Sequence, residues 1–146
     1  MKFAEFKEGM LIHGGPVTVT EAEILAFARQ YDPQWFHTDI GRAEKGRWGG
    51  LIASGWHTCA LAMRMAVEAT LHDSESFGSP GLGSVKWRVP VRPGDTLRLE
   101  ARVQAMRRST SQSNLGIITW NWTIFNQNND EVLELDATSL FDLTLS

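Results

Sequence analysis

The segment from Ser54 to Leu71 decides the fold, and its sequence is SGWHTCALAMRMAVEATL. Drawn as a helix, it is apolar or small over most of its circumference, and the polar exceptions His57, Arg64 and Glu68 share one stripe. A helix that is apolar nearly all round is expected to be buried in its own domain. Ser54 is a natural N-cap for this helix. The sequence therefore predicts a long, buried central helix.

Two further helices are predicted ahead of this segment. Thr20-Glu21-Ala22-Glu23 fits a capping box, and an apolar stripe at helical spacing follows it, made of Ile24, Phe27, Ala28 and Tyr31. Pro33 restricts Asp32 to extended geometry, so this helix is expected to stop near Tyr31 and Asp32 to begin a loop. A short helix is expected from Thr38 to Lys45, capped by Thr38 and ended by Gly46.

The chain after residue 80 has the two-residue period of strands. Apolar residues alternate with polar ones from Leu97 to Ala105 and from Leu133 to Leu143, and Gly116–Phe125 is rich in Ile, Thr, Trp and Phe. Gly83–Val91 is a further strand, placed at an edge because of Pro90. Pro93-Gly94-Asp95 and Gln127–Asp130 are predicted turns. One buried helix followed by an antiparallel meander predicts an α+β fold, with the sheet curled around the helix.

Composition excludes several classes of protein. A chain of 146 residues has the usual length of one domain, so residues 1–146 are expected to form a single domain. The formal charge of -3 argues against a general nucleic-acid binder. A single cysteine allows no internal disulfide. No apolar run is long enough to span a bilayer and no signal peptide is evident, so no membrane partner and a cytoplasmic location are expected.

The sequence gives little support for a metal site or a reactive cysteine. His13, His37 and His57 lie in separate segments without the spacing of metal ligands, so no metal is expected. Cys59 lies on the buried helix, where a cysteine is usually inert.

Basic residues are concentrated in one stretch. Lys86–Arg108 contains seven basic residues and two acidic ones, whereas residues 109–146 contain five acids and no base. Two interpretations stay open. These can be the solvated faces of neighbouring strands that attract each other, or a basic rim for an anionic ligand such as a nucleotide phosphate.

Two segments contain the residue types needed for chemistry. Asp32 and His37 lie five residues apart across a proline-broken loop, so they can converge without sharing a helix face. Such a pair is also common among structural hydrogen-bonded groups. At Gly55 no side chain blocks the first turn of the central helix, so its N–H can donate to a ligand oxygen, although an ordinary capped helix start has the same sequence.

Three stretches in series resemble the MaoC-like dehydratases, the (R)-specific enoyl-CoA hydratases of the hot-dog fold. They are Asp32–Asp39 (DPQWFHTD), Gly49–Thr58 (GGLIASGWHT) and Pro90–Leu97 (PVRPGDTL), and the resemblance covers nearly the whole chain. It implies a long central helix wrapped by a curved antiparallel sheet. It also implies a homodimer or dimer-based oligomer with the active site near the subunit interface.

The resemblance also implies roles for individual residues. Asp32 and His37 match a catalytic dyad that holds water and adds it across the C2=C3 bond of a trans-2-enoyl-CoA to give an (R)-3-hydroxyacyl-CoA, and which of them is the base stays open. Gly55 matches a glycine whose amide polarises the thioester carbonyl. No cofactor is needed, and the substrate is an acyl-CoA or acyl-carrier thioester. The substrate-binding positions are expected to be Gln34, Trp35, Phe36, Ser54 and Trp56.

Some residues depart from the family pattern. Many members have Asn and Pro where this chain has Gln34 and Trp35. Met63 lies near the place of a helix hydroxyl that some hydratases use, and no clear substitute follows from the sequence, with Thr58 only a guess. Trp35, with Trp48 and Trp56, is expected to shape the acyl pocket.

Two other functions are weighed against hydration. A hot-dog thioesterase would be expected to carry a carboxylate early in the central helix, where this chain has His57, Thr58 and Cys59. A non-catalytic acyl-thioester-binding subunit of a heteromeric dehydratase has no need of both Asp32 and His37.

Overall fold

The computed structural model describes residues 1–145, which form one antiparallel sheet with helices on one face. The strands are β1 (Leu11–Thr18), β2 (Ser76–Gly78), β3 (Leu82–Trp87), β4 (Thr96–Arg108), β5 (Leu115–Phe125) and β6 (Glu131–Asp142). The helices are α1 (Glu21–Tyr31), α2 (Trp35–Thr38), α3 (Ile40–Glu44) and α4 (Gly55–Ala66). The strand order is β1-β4-β5-β6-β2, and β3 also pairs with β6. This is the α+β architecture that the sequence predicts.

The central helix is α4, and the segment Val67–Leu71 continues it as one π-helical turn, in which the His72 N–H donates to the Val67 carbonyl at 2.8 Å. The predicted span of this helix is confirmed. Its buried face, which includes Leu61, Ala62 and Met65, packs against the sheet.

One face of the central helix lies open, contrary to the prediction of a helix buried all round. Trp56 is 60% exposed and Met63 is 45% exposed. The three polar residues that the sequence places on one stripe have different surroundings. Arg64 and Glu68 form an exposed ion pair at 3.0 Å, whereas His57 is buried. Large apolar side chains of β2 and β3 continue this exposed area, which we call the apolar face; it comprises Trp56, Met63, Phe77, Leu82 and Trp87.

The helices before α4 follow the prediction at one place and depart from it at another. α1 ends at Tyr31, and the Thr20 hydroxyl accepts from the Glu23 N–H at 3.2 Å, as predicted. The predicted helix from Thr38 to Lys45 is wrong in its start and its cap. Residues 35–38 form the separate turn α2, and α3 is capped by Asp39, which accepts from the Arg42 N–H at 3.0 Å.

The predicted meander is confirmed as β4, β5 and β6. Trp120 and Trp122 lie on the buried face of β5. Ala105 departs from the alternation and is exposed, because the pairing of β4 with β5 shifts register between Val103 and Ala105. The predicted edge strand Gly83–Val91 is shorter than expected and ends at Trp87.

Candidate active site

Asp32 lies at the end of α1, where Pro33 stops the helix, and its carboxylate is held on both oxygens. The Gln34 side-chain amide donates to Oδ1 at 2.8 Å, and the Ser54 hydroxyl donates to Oδ2 at 2.7 Å. The carboxylate therefore has a fixed orientation, with Oδ2 turned toward the start of the central helix.

His37 is presented by the single turn of α2 and is buried. Its Nδ1 lies 2.7 Å from the carbonyl oxygen of Ile52. Because a carbonyl oxygen only accepts, Nδ1 carries the hydrogen, and in the neutral ring Nε2 has the free lone pair. Nε2 lies 3.3 Å from Oδ2 of Asp32. The structure thus brings together the two residues that the sequence places five positions apart.

The surroundings of Asp32 favour its ionised form. Burial acts to raise the pKa of this carboxyl, but the hydrogen bonds from Gln34 and Ser54 and the charge of His37 outweigh burial and hold the pKa below its ordinary value. Asp32 is consequently a carboxylate at neutral pH, and it can orient a water molecule or stabilise a cation on the neighbouring imidazole.

Ser54 occupies the N-cap position of α4, but its hydroxyl donates to Asp32 instead of capping the helix. The predicted N-cap position of Ser54 is therefore confirmed, although its side chain makes no capping hydrogen bond. Gly55, as the first residue of the helix, has an N–H without a carbonyl partner inside the helix. Its carbonyl accepts from the Trp87 indole N–H at 2.9 Å, and a Cβ at this position would lie 2.5 Å from Cε2 of Trp87. A side chain at position 55 would displace this indole.

A cavity of about 330 Å³, which we call the dyad cavity, joins Asp32, His37 and Gly55. Its remaining wall is mostly apolar and comes from the start of α4, from the segment after Trp87, and from Trp48 and Val132. Thr58 and Arg88 are further polar groups on its wall. A concave, largely apolar site with a few convergent polar groups is typical of a small-molecule site.

Of the residues predicted to bind substrate, the structure places one in the lining of the dyad cavity and the others elsewhere. Trp56 lines the dyad cavity and Gln34 and Ser54 hold Asp32, whereas within residues 1–145 the lining does not include Gln34, Trp35, Phe36 or Ser54. Trp35 packs against Gly46 and under the Arg42 guanidinium, and Phe36 lies against the His37 ring at 4.3 Å. Trp35 thus supports the segment that carries His37 and lies away from the cavity wall.

Sequence reasoning missed Trp87 as a site residue. It is the last residue of the edge strand β3, and no motif distinguishes it from other aromatic strand residues. Its position on Gly55 and in the cavity wall comes from the pairing of β3 with β6, which is a long-range contact.

The basic stretch Lys86–Arg108 is largely engaged with its own chain. Arg88 binds Glu134 of β6 at 2.7 Å and lies 3.4 Å from Glu131. Arg92 donates to the Trp48 carbonyl at 2.6 Å and to the Gly50 carbonyl at 3.4 Å, which fixes the loop before α4. These contacts fit the interpretation of neighbouring strands that attract each other, and Arg88 also borders the dyad cavity.

The structure also describes the surroundings of the cysteine and of the residues considered as metal ligands. Burial raises the pKa of the Cys59 thiol, against a smaller opposing effect of the nearby Trp87 indole. Among residues 1–145, no group of three or more His, Cys, Asp or Glu side chains is placed to hold a metal ion. No helix in this part of the chain is long and apolar enough to cross a membrane.

Comparisons with known proteins identify the family of this chain. The family model for the MaoC like domain matches residues 6–121. The uncharacterized protein YdeM of Bacillus subtilis is 30% identical over 140 residues, which are 96% of this chain and 98% of that protein. The 3-hydroxyacyl-thioester dehydratase Z of Mycobacterium tuberculosis is 36% identical over 84 residues, 56% of each chain.

A solved structure of a MaoC-like dehydratase has a similar fold. The crystal structure of the MaoC-like dehydratase from Rhodospirillum rubrum superposes with a TM-score of 0.88 and 34% identity, covering 95% of this chain and 94% of that one. With a central helix against an antiparallel sheet and a family model across residues 6–121, this chain has the hot-dog fold and belongs to the MaoC-like dehydratase family.

Proposed function

We propose that this protein is a hydratase that reversibly adds water across the C2=C3 bond of a trans-2-enoyl thioester to give an (R)-3-hydroxyacyl thioester. The observation that carries the proposal is the meeting of Asp32 Oδ2 and His37 Nε2 at 3.3 Å in a cavity that also contains Gly55, the first residue of the central helix. Family membership and the name of the mycobacterial relative, a 3-hydroxyacyl-thioester dehydratase, support the same reaction class.

We propose His37 as the base, and its hydrogen bond to the Ile52 carbonyl supports this choice. With Nδ1–H fixed on that carbonyl, the lone pair on Nε2 takes a proton from water as the water oxygen bonds to C3. The π electrons of C2=C3 move toward the thioester oxygen. Asp32, ionised and 3.3 Å away, orients the water and stabilises the imidazolium that forms. The imidazolium then returns the proton to C2, so one water molecule is added in full.

Gly55 would stabilise the charge that develops on the thioester oxygen. Its N–H lies at the positive end of the helix dipole and has no partner inside the helix. A preorganised donor in a largely apolar cavity stabilises an enolate-like oxygen much more than the neutral carbonyl. We propose no cofactor, because the thioester already makes C3 electrophilic.

The acyl thioester would reach the dyad cavity from its open side, with Arg88 at the wall. Carriers of such acyl groups include CoA and acyl-carrier proteins, and both end in the same pantetheine thioester. We propose CoA esters as the substrate, with Arg88 or Lys86 near the CoA phosphates.

We also propose that two copies of the chain form a homodimer through the apolar face. Trp56, Met63, Phe77, Leu82 and Trp87 are each 45–60% exposed, and contiguous exposed apolar patches mark interaction sites. The edge strand β3 contributes Leu82 and Trp87 to this face, and within residues 1–145 it pairs with β6 alone, so its other side is available for pairing with a second copy. A dimer would place the dyad cavity, to which Trp56 and Trp87 belong, next to the subunit interface.

A panel of enoyl-CoA esters tests the proposed reaction. The purified protein, incubated with straight, branched and dicarboxylic trans-2-enoyl-CoAs, should remove the conjugated enoyl-thioester absorbance, and chiral analysis of the product should give the (R)-3-hydroxy ester. Release of free CoA without hydration would indicate a thioesterase, and binding without turnover of any ester would indicate an acyl-thioester-binding subunit. Either result would overturn the proposal.

A further inference from the structure

A second concave region lies beside the dyad cavity. This groove has a volume of about 450 Å³, and its wall is mostly apolar. It is formed by the central helix, by β2 and β3, and by β6, with lining residues that include Cys59, Met63, Phe77, Leu82 and Leu135. Met63, Phe77 and Leu82 also belong to the apolar face, so in the proposed homodimer the second copy would close the outer side of this groove. A third concave region, near Arg92, is lined by Glu21 and Glu44, so it does not suit an alkyl chain.

The groove and the dyad cavity follow each other along the same three elements. On the central helix, the cavity meets Gly55 and Thr58, and the groove meets Cys59 and Met63. On the paired strands β3 and β6, the cavity meets Trp87 and Val132, and the groove meets Leu82, Leu135 and residues 137–139. The two spaces are therefore arranged end to end between the helix and this edge of the sheet.

Trp87 stands at the junction of the two spaces. Its indole N–H is held by the Gly55 carbonyl at 2.9 Å, and its ring occupies the place where a side chain of residue 55 would lie. Cys59 lies one helical turn farther along, on the wall of the groove, and the indole is near enough to oppose the rise in the pKa of its thiol. Trp56 lies edge-on to the ring at 5.4 Å. The indole thus covers the turn of helix that separates the two spaces.

We infer that Trp87 is a specificity-determining residue that closes the acyl end of the dyad cavity and restricts the enzyme to short acyl thioesters. The inference rests on the proposed function for the identity of the ligand. With the thioester carbonyl at Gly55 and the C2=C3 bond at Asp32 and His37, the alkyl tail must extend beyond the dyad cavity. The apolar space next to the dyad cavity is the groove behind Trp87. With the indole in place, a four-carbon acyl group fits and a longer tail meets the ring.

Opening the junction should change chain-length selectivity. The wild type should prefer crotonyl-CoA to trans-2-octenoyl-CoA, and Trp87→Ala should move the ratio of the two kcat/KM values toward octenoyl-CoA by at least about 10-fold. Trp87→Leu should give an intermediate shift of the same ratio, and this variant replaces Trp87→Ala in the test if the alanine variant does not fold. Trp87→Phe keeps an aromatic ring at the junction and should keep the short-chain preference. An unchanged ratio in a folded Trp87→Ala or Trp87→Leu protein would overturn the inference.

A binding measurement separates this inference from the proposed reaction. Octanoyl-CoA and butyryl-CoA have no C2=C3 bond, so their binding needs no turnover, and Cys59, the single cysteine, reports occupation of the groove. In Trp87→Ala, octanoyl-CoA at ten times its Kd should slow the reaction of Cys59 with N-ethylmaleimide by about 10-fold, measured by intact mass, and butyryl-CoA should not. In the wild type neither ester should protect Cys59.

Two outcomes distinguish the claims. Equal protection by octanoyl-CoA in wild type and Trp87→Ala would show that the groove is open without the substitution, and it would overturn the role of Trp87. Protection limited to Trp87→Ala, together with no hydration of any enoyl-CoA, would support the closure by Trp87 and refute the hydratase proposal.

Discussion

Ser54 connects the two parts of the site at the scale of single residues. Its backbone begins the central helix, so that Gly55 presents the first N–H, while its hydroxyl holds Oδ2 of Asp32 at 2.7 Å. Asp32 lies 22 residues earlier in the chain. One buried serine thus fixes the distance between the carboxylate and the helix N-terminus. Because its hydroxyl donates to Asp32, it does not make the hydrogen bond to the helix that an N-cap serine usually makes.

His57 is a buried histidine that the proposed reaction does not use. It stacks on Phe27 with ring centroids 4.7 Å apart, and within residues 1–145 no hydrogen-bond partner reaches its Nδ1. Burial lowers its pKa from the ordinary value of 6.5, and the charge of Glu23 opposes this only in part. Folding therefore favours the neutral ring.

The lowered pKa of His57 predicts a loss of stability in mild acid. Below its ordinary value of 6.5, the unfolded chain binds a proton at His57 that the folded chain does not, so the free energy of unfolding should fall as the pH drops below that value. His57→Phe should keep the ring stack and remove this part of the pH dependence, as measured by urea denaturation between neutral and mildly acidic pH. An equally steep dependence in the variant would contradict this account.

Asp32 adds a separate dependence at lower pH. Its pKa lies below its ordinary value of 3.8, so the stability that it contributes is present above that value and is lost as the pH falls through the folded pKa. The two effects begin at different pH values, near 6.5 for His57 and near 3.8 for Asp32, and the His57→Phe variant separates them in the urea experiment.

At the scale of elements, the site depends on the contact between strand β3 and the start of α4. Trp87 ends the strand, Gly55 begins the helix, and the indole lies where a Cβ of residue 55 would be, at 2.5 Å. Glycine at this position therefore has a steric reason in addition to the role that the family resemblance implies.

A double-mutant cycle tests this contact. Gly55→Ala should destabilise the fold by about 1–3 kcal/mol because the new methyl group overlaps the indole. The same substitution in a Trp87→Ala background should cost clearly less, since the overlapping ring is gone. Urea denaturation of the four proteins measures the coupling, and additive changes in the free energy of unfolding would show that the contact does not constrain residue 55.

Elements with a local pattern could be predicted from the sequence. α1 has its cap and stripe within the twelve consecutive residues from Thr20 to Tyr31, and β4 to β6 have clear alternation. β1 was not predicted, because Gly14-Gly15-Pro16 interrupts its pattern. Gly14 is needed where the strand crosses the central helix, since a Cβ there would lie 3.1 Å from the Met65 carbonyl oxygen. That requirement comes from packing between distant segments, which no local pattern contains.

The candidate site divides in the same way. Asp32, His37 and Gly55 lie in short motifs whose resemblance to a family could be seen, and the structure brings them to one cavity. The hydrogen bond that fixes the His37 tautomer, the turn of Ser54 toward Asp32 and the position of Trp87 all join residues 15 to 32 positions apart. Spacing alone could not indicate them.

For the whole molecule, the exposed side of the central helix is the main departure from the predicted buried helix. The sequence pattern is that of a helix covered all round, whereas one chain covers only part of it. The two observations agree with the proposed homodimer, in which a second copy would cover the apolar face.

The proposed homodimer gives a direct expectation of mass. Light scattering after size-exclusion chromatography should give about twice the chain mass of 16.3 kDa. Met63→Lys places a charge in the apolar face and should shift the population toward the monomer. Gln104→Lys, on an exposed position of β4, is the matched control and should leave the dimer intact. A monomeric wild type, or equal behaviour of the two variants, would contradict this arrangement.

The central claim is that Asp32 and His37 add water to an enoyl thioester, and the hydration rate of crotonyl-CoA tests it most directly. The wild type should hydrate this ester to the (R)-3-hydroxy product. Asp32→Asn and His37→Gln should each lower kcat by at least about 100-fold, while the Kd for butyryl-CoA changes little, because acid–base catalysis is lost and the cavity is kept. Rates close to wild type in both variants would contradict the account.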